Sequence, residues 1–336
     1  MKKLIALILS LFITASVYAA NIEVLPTMQS KTNVQDRVWV GTFQIVWNDL
    51  MNKFVYGPVK FMEGNPNTVE ELNQQKFTTD DISDKSYYKY SGKIAKDTKK
   101  TIEKAIKKKF NEKSDILDSI DWTPSPRRFI IYAMLKKDFE FIRPFDKLGT
   151  FAFKDKKAEF FGIKKHSDKE LRDGVRVLFY NSPKDYAVVL KTNSGEDVYV
   201  YKTANTKPFN YIYSDMLKKQ TIYKGNTKFG EKDELRVPNI KFFEEKQFKE
   251  LENKRIKGTE YKIDQAIETV KFEMNNQGVK LKSEAAITMK ATAIMPREET
   301  PRYFYFDDTF VVFLKEQNKS KPYFALRVYD ISKFQG

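Results

Sequence analysis

The sequence has no cysteine and a single histidine, and these two shortages exclude several kinds of chemistry. Without cysteine the chain forms neither a disulfide nor a lipid-acylated cysteine, so a packed core must supply its stability, which about 315 residues readily allow. His166 lies among lysines in a polar stretch, which predicts an exposed side chain. Ser-His-Asp, Cys-His and multi-histidine zinc sites therefore lack the residues they need. We expect neither a metal nor a cofactor.

Glycine is also scarce, with 13 in 336 residues. The sequence contains no G-x-x-x-x-G-K-[ST] loop and no strand-linked G-x-G-x-x-G, so the usual phosphate-binding loops are excluded. Aspartate and glutamate are abundant, which leaves a two-carboxylate hydrolase open on composition. No carboxylate pair is singled out by its spacing.

Long apolar runs are missing after the N-terminus. There, Lys2 and Lys3 precede the apolar residues 4 to 17, and residues 17 to 19 supply small side chains at the usual cleavage spacing. This pattern predicts a signal peptide over residues 1–19 and a soluble exported protein, either secreted or periplasmic. A retained signal anchor is the alternative. No later segment reaches the about 20 apolar residues that a membrane span needs.

Positively charged residues outnumber negatively charged ones: the sequence has 60 Lys and Arg and 45 Asp and Glu, for a net charge of +15. Such a surface makes a polyanion a candidate partner, while the export signal argues against nucleic acid. The sequence shows no Gly/Ser or Pro-rich linker and no internal repeat. We therefore expect one domain, residues 20–336, and a monomer.

The strongest helix signal lies between Lys93 and Phe110. Apolar residues fall on one side of this stretch, and eight lysines occupy most of the rest. A lysine face of this kind is usually only solvated. The sharper hypothesis is that Lys100, Lys107 and Lys108 bind a sulfated polysaccharide or an anionic lipid surface.

The remaining pattern predicts helices in the first part of the chain and strands in the rest. Residues 38 to 54 approach helical spacing, with Trp39 and Trp47 in the core. Residues 127–135 form an apolar run that predicts a strand buried on both faces, and residues 155–157 predict a hairpin turn. Residues 235–251 predict a strand that runs into a short helix. Together these features predict an α+β fold with large, mainly antiparallel sheets.

Four segments resemble the serpin family, and they occur in serpin order from about residue 130 onward. "FDDTFVVFL", residues 306–314, resembles the serpin signature, and "FLKEQNKSKPYFALRVYD" is similar to the closing hairpin. "AMLKKDFEFIRPFD", residues 133–146, is similar to a strand of the central serpin sheet. "LRVPNIKFFEEKQFKELENK" is similar to the serpin strand and helix that carry a Val/Leu-Pro-x-Phe/Ile-Lys pattern.

The resemblance implies a serpin-like fold with an exposed reactive-centre loop at about residues 279–303. It implies an inhibitor rather than an enzyme. A serine or cysteine protease cleaves the loop, the loop inserts into the central sheet as a new strand, and the acylated protease is trapped covalently. The hinge of this loop would be Ser283, Glu284, Ala285 and Ala286.

The resemblance implies a scissile bond at Pro296 when residues are counted forward from Glu284, and between Met295 and Glu298 when they are counted back from Phe306. The candidates are therefore Met295, Pro296, Arg297 and Glu298. Arg297 favours a trypsin-like protease, and Met295 is second. An equally weighted interpretation is that Arg297 is only an exposed charged residue of the loop.

Several departures from the serpin pattern keep other functions open. Residues 279–282 separate Gly278 from the hinge, Ile287 and Met289 are bulkier than usual, and Glu268 occupies the region of a sheet-opening histidine. A non-inhibitory serpin-fold protein that binds a polyanion or the cell envelope through its basic surface is therefore the second hypothesis. A carboxylate-based hydrolase of unrelated fold is the third.

Overall fold

The computed structural model describes residues 22–125, 128–279 and 300–336. Four α-helices lie in these ranges: α1 Thr42–Leu50, α2 Asn67–Leu72, α3 Thr98–Phe110 and α4 Phe209–Ile222. The strands, in chain order, are β1 Glu23–Leu25, β2 Arg37–Val40, β3 Tyr87–Lys93, β4 Phe129–Leu135, β5 Phe139–Glu140, β6 Asp146–Phe153, β7 Lys156–Ile163, β8 Val175–Ser182, β9 Asp185–Lys191, β10 Glu196–Lys202, β11 Glu234–Pro238, β12 Ile240–Gln247, β13 Ile267–Met274, β14 Gly278–Val279, β15 Tyr303–Tyr305, β16 Phe310–Glu316 and β17 Phe324–Val328.

A seven-stranded sheet, in the order β1-β2-β17-β16-β10-β9-β8, forms the centre of the core. Its inner strands are apolar along nearly their whole length, and every residue of β10 and β17 is buried. A four-stranded sheet has the order β15-β11-β7-β6, and β12-β13, β14-β5 and β3-β4 form two-stranded pairs. Most of these pairs are antiparallel. The α+β prediction is confirmed.

The predicted early helix is α1, which continues into a π-helical turn, Met51–Val55. It follows β2 directly, so the first residues of the predicted segment form a strand. Trp39 and Trp47 are each 2% exposed and lie in the core, as predicted. Among the described residues, no helix is long and apolar enough to cross a membrane.

The predicted hairpin joins β6 to β7, but its turn is formed by Lys154, at a φ of +52°, and Asp155, whereas Lys156 and Lys157 already belong to β7. The closing hairpin of β16 and β17 is also present. The short helix expected before Leu251 is wrong. Instead β12 extends to Gln247 and pairs along its full length with β13, because its buried and exposed residues alternate with the period of a strand.

The predicted strand at residues 127–135 is β4, but it is not buried on both faces. Ile130 and Tyr132 are buried against α3, whereas most other β4 residues are half-buried. β3 pairs with one edge of β4, and no described strand pairs with the other. That second edge borders an open space, which explains the partial exposure.

The predicted helix at residues 93–110 is α3, which begins at Thr98. The Thr98 hydroxyl donates to the carbonyl of Lys93 and accepts from the N–H of Ala95, so the chain turns before the helix. Asn111 ends α3 in the left-handed conformation, at a φ of +54°. The buried face of α3 belongs to a small core of its own, formed by Ile94, Ile102, Ile106, Leu117, Ile130 and Tyr132.

Candidate functional site: a strand-wide groove

A cavity of about 960 Å³ lies between β4 and β13, and we call it the groove. Its walls are β4 and β13. Residues of α1, including Val46, Trp47 and Leu50, also line it. No described strand pairs with the edges of β4 and β13 that face the groove. Unpaired strand edges are templates for a further strand, so β4 and β13 both offer backbone partners for one along the groove.

One end of the groove is closed by β14. Gly278 and Val279 pair antiparallel with Glu140 and Phe139 of β5. The turn before them is closed by hydrogen bonds between the backbones of Asn275 and Gly278, 3.1 and 3.3 Å long. Because β14 runs antiparallel to β5, it is directed towards β4 at Val279. The first two residues of a strand are therefore already in place at the head of the groove.

Gly278 makes the close pairing of β14 with β5 possible. Its φ is +144°, and a Cβ atom there would lie 2.4 Å from the carbonyl oxygen of Phe139 and 2.6 Å from the Cα of Glu140. Both contacts are with backbone, which cannot swing away as a side chain can. Glycine therefore allows β14 to approach β5 closely.

Glu268 is the most unusual charged residue beside the groove. It lies in β13 and is 4% exposed, and neither carboxyl oxygen has a hydrogen-bond partner in the described part of the chain. The backbone N–H of Phe43, at the start of α1, faces the carboxyl and favours its charged form without reaching hydrogen-bond geometry. Burial dominates and raises the pKa of Glu268 to about 8. The carboxyl is thus largely protonated at neutral pH.

A second buried ionic cluster lies near the head of the groove. The ammonium of Lys137 is 2.6 Å from a carboxylate oxygen of Glu196 and also contacts Glu316. The backbone N–H and hydroxyl of Ser83 donate to Glu316 over 3.1 and 2.8 Å. Burial raises the pKa of Glu196. Burial also opposes the charge of Glu316, but Lys137 and Ser83 outweigh it and leave the pKa of Glu316 lowered.

The residues predicted from the sequence fall into two groups. The hinge, Ser283 to Ala286, and the scissile candidates, Met295 to Glu298, lie outside the described residues. Lys100, Lys107 and Lys108 lie on the exposed side of α3, as predicted. Lys104 joins them, since positions 100, 104, 107 and 108 share one helix face. We call these four the lysine stripe.

Sequence reasoning missed the groove itself and the Lys137 cluster. The groove depends on which strand edges stay unpaired, and no local pattern encodes that. Glu268 carried a weak signal, because it occupies a buried position of a strand whose inward residues are otherwise apolar. His166 is exposed, as predicted. No group of three or more His, Asp or Glu side chains that could hold a metal occurs within the described ranges.

Of the comparisons with known proteins, the one with solved structures supports the fold. No protein-family model and no curated protein matches the sequence. A serpin from the insect Tenebrio molitor, Serpin48, is similar in structure with a TM-score of 0.50 and 11% identity, over 88% of this chain and 92% of that one. Thyroxine-binding globulin bound to thyroxine has a TM-score of 0.43 and 12% identity over 69% of this chain, and a human thyroxine-binding globulin complex has 0.40. The described chain therefore has the α+β fold of the serpins.

Proposed function

We propose that this protein is an exported serpin-like inhibitor of a serine or cysteine protease. It acts through cleavage of its reactive loop, insertion of the cleaved strand into the groove and covalent trapping of the protease, without catalysis of its own. Residues 20–336 form one domain in this proposal, released after removal of the signal peptide. A mass measurement of the exported protein, expected to start near Ala20, tests the export step.

The observation that carries the proposal is the groove with β14 at its head. An added strand gains backbone hydrogen bonds to both β4 and β13, which is the general basis of strand addition to a sheet edge. Residues 280–299 follow Val279 directly in the sequence, and β14 runs in the direction that insertion requires. A segment of this chain is thus placed to fill the space.

The sequence of this segment fits the groove in register. Continuing the β14–β5 register places Ala285 opposite Ala133, and continuing the Asn275–Gly278 bridge along β13 places Ala285 opposite Glu268. Side chains at every second position then face the core. These inward positions carry Val279, Leu281, Ser283, Ala285, Ile287 and Met289, whereas the outward positions carry Lys280, Lys282, Glu284, Ala286, Thr288 and Lys290. The alternation is that of a strand with one buried face.

Chain length explains why cleavage would trigger insertion. Insertion as far as Thr292 carries the chain roughly 43 Å beyond Val279, at about 3.3 Å per residue. The residues from Thr292 to Thr300 span at most roughly 29 Å when fully extended. Thr300 precedes β15, at one edge of the four-stranded sheet. The intact segment is therefore held at both ends and can insert only as far as these lengths allow, whereas a cut after Thr292 removes the second attachment.

In this proposal the protease cleaves the loop within residues Met295, Pro296, Arg297 and Glu298. A trypsin-like protease is the favoured target because of Arg297. Trypsin is accordingly the first probe. We expect a complex that resists denaturation in detergent, together with cleaved protein that melts at a much higher temperature than the intact protein. Arg297→Ala should abolish the complex with trypsin, whereas Met295→Ala should retain it.

Substrate-like cleavage without complex formation or a rise in the melting temperature would contradict the proposal. Mass measurement of the fragments locates the cut independently of trapping. A cut outside residues 293–299 would remove the bait assignment but leave the groove mechanism testable with other serine proteases.

The lysine stripe supports a second candidate function, a non-inhibitory protein that binds a polyanion or the cell envelope. Its four lysines are exposed and have no ion-pair partner among the described residues, unlike Lys99, which pairs with Asp118 and Glu103. The stripe runs about 12 Å along α3 at 1.5 Å per residue. A linear sulfated polymer would bind such a row of charges in a salt-dependent manner.

Heparin chromatography tests this candidate. Replacing Lys100, Lys107 and Lys108 by Glu should cause elution at clearly lower salt. The matched control replaces three exposed lysines elsewhere, Lys164, Lys165 and Lys184, and makes the same change in net charge. Equal shifts in both triple variants would show that only overall charge matters and would reject the stripe as a site.

A further inference from the structure

We propose that a basic collar on the protein surface binds the acidic flank of the scissile region and holds it against the body of the protein. The collar is formed by three exposed lysines, Lys224, Lys228 and Lys232. The flank is the acidic pair Glu298 and Glu299, which lies outside the described residues. The role given to this flank rests on the proposed function, whereas the binding itself can be measured without a protease complex.

Arg302 fixes the chain at the point where the flank joins the described structure. Its guanidinium lies 2.6 Å from a carboxylate oxygen of Asp233 and donates to the backbone carbonyls of Asn226 and Lys228, each over 2.6 Å. The backbone N–H of Arg302 also donates to Asp233, over 3.0 Å. The two side chains of this ion pair are only 14% and 2% exposed. Charge-assisted hydrogen bonds therefore hold residue 302 in one position.

The collar lysines lie around this anchor. Lys228 supplies one of the carbonyls that Arg302 binds. Lys224 lies two residues before the other carbonyl, and Lys232 lies directly before the carboxylate partner. All three side chains are exposed, and their ammonium groups have no hydrogen-bond or ion-pair partner in the described part of the chain. Three free positive charges thus lie close to the start of β15.

The acidic residues of the same stretch are already engaged. Glu231 pairs with Lys169 at 3.0 Å, and Asp233 is the partner of the anchor. Glu234 accepts from the hydroxyl of Tyr305. Within the described ranges, no carboxylate of residues 224–234 is therefore left to neutralise the collar. Its positive charge attracts a further acidic group.

Chain length places the acidic pair beside the collar. The segment 280–299 contains three acidic residues, and two of them, Glu298 and Glu299, lie four and three residues before Arg302. Fully extended, the chain carries them at most roughly 14 and 11 Å from Arg302. The flexible stem of a lysine covers part of that distance. So short a tether gives the pair a high effective concentration at the collar, which favours it over an acidic group in solution.

Binding of the pair would divide the loop at the scissile region. After a cut at Arg297, the residues that follow it stay on the collar at the edge of the four-stranded sheet. The residues before the cut are free to leave this edge together with the protease. The collar therefore keeps the two new chain ends apart.

Cross-linking of the intact protein with a carbodiimide tests the binding directly, because this reagent joins an ammonium to a carboxylate in contact with it. We expect cross-linked peptides, identified by mass spectrometry, that connect collar lysines with Glu298 or Glu299. Their yield should fall when the salt concentration is raised to about 1 M, since salt screens exposed ion pairs.

A protease that cleaves after glutamate provides the second readout, because a carboxylate bound to the collar is not available to its specificity pocket. The collar variant combines Lys224→Gln, Lys228→Gln and Lys232→Gln. In this variant the rate of cleavage after Glu298 and Glu299 should rise about fivefold, as expected for the loss of exposed ion pairs. The matched control makes the same change in net charge and should keep the natural rate; it combines Lys164→Gln, Lys165→Gln and Lys184→Gln.

Absence of the cross-links, or equal cleavage rates in the collar and control variants, overturns the proposal. If the collar contacts the protease instead, the collar variant forms its trypsin complex more slowly while cleavage after Glu298 and Glu299 is unchanged, and this result also overturns the binding proposed here. Cross-links and protection in a protein that forms no complex with any protease support the collar and contradict the proposed function alone.

Discussion

At the scale of single residues, Lys137 is buried together with two carboxylates, and its ammonium neutralises both. Its side chain is 8% exposed, and those of Glu196 and Glu316 are 6% exposed. Lys137→Met keeps most of the apolar volume but leaves both carboxylates without their cation. We expect the free energy of unfolding to fall by about 3–5 kcal/mol at pH 7, measured by urea denaturation.

Lys136 supplies the matched control for this prediction. It is more exposed, and its two partners, Glu112 and Asp138, are 48% and 20% exposed. Lys136→Met should therefore cost no more than about 1 kcal/mol. Equal losses in the two variants would show that the ion pairs of Lys137 contribute nothing beyond those of a surface lysine.

Gly278 supports a second prediction at this scale. In Gly278→Ala the new Cβ meets the backbone of β5, and the left-handed conformation itself costs about 1–2 kcal/mol. We expect β14 to detach from β5, which would slow insertion of the cleaved loop, measured by the rise in melting temperature after proteolysis. Gly57→Ala has open space around its Cβ and should match the natural protein. Unchanged insertion in Gly278→Ala would contradict the role given to β14.

At the scale of elements, hydrophobic periodicity was sufficient to predict α1, α3 and most strands, because each of these segments shows one clear period along its length. It failed after Glu245, where residues 246 and 247 continue β12 in its pairing with β13 and the following residues form a turn instead of the expected helix. The stretch of β4 was apolar enough for a fully buried strand. Its open edge is a property of the assembled sheet, so the groove could not be predicted from any single segment.

The register of the inserting strand leads to a test at the element scale. Because successive side chains face opposite sides of a sheet, one extra residue between Val279 and Lys280 reverses every later position. The lysines at 280, 282 and 290 would then face the core, and we expect insertion after cleavage to fail. Two extra residues restore the alternation and should restore insertion. The melting temperature of the cleaved proteins reports both outcomes, and equal behaviour of the two insertions would refute the proposed register.

At the scale of the whole molecule, the two sides of the groove belong to cores of different size. β13 packs on the main core, which includes the seven-stranded sheet. β3, β4 and α3 share the small core that contains Ile102 and Ile106, and β3 and β4 touch the main core only through the half-buried Tyr87, Ala133 and Leu135. β3 and β4 pair only with each other among the described strands. The β3-β4-α3 side therefore has less buried apolar surface to hold it in place.

This difference predicts unequal local stability, which native-state hydrogen exchange can measure. Amides of β3, β4 and α3 should open with a lower free energy than those of β9, β10 and β16, which lie inside a seven-stranded sheet. After cleavage the inserted strand would pair with β4, so protection should increase most in β4, with little change in β10. Uniform protection before cleavage would contradict the two-core description. An increase spread evenly over all strands would contradict insertion beside β4, because only the strands that border the groove gain new backbone partners.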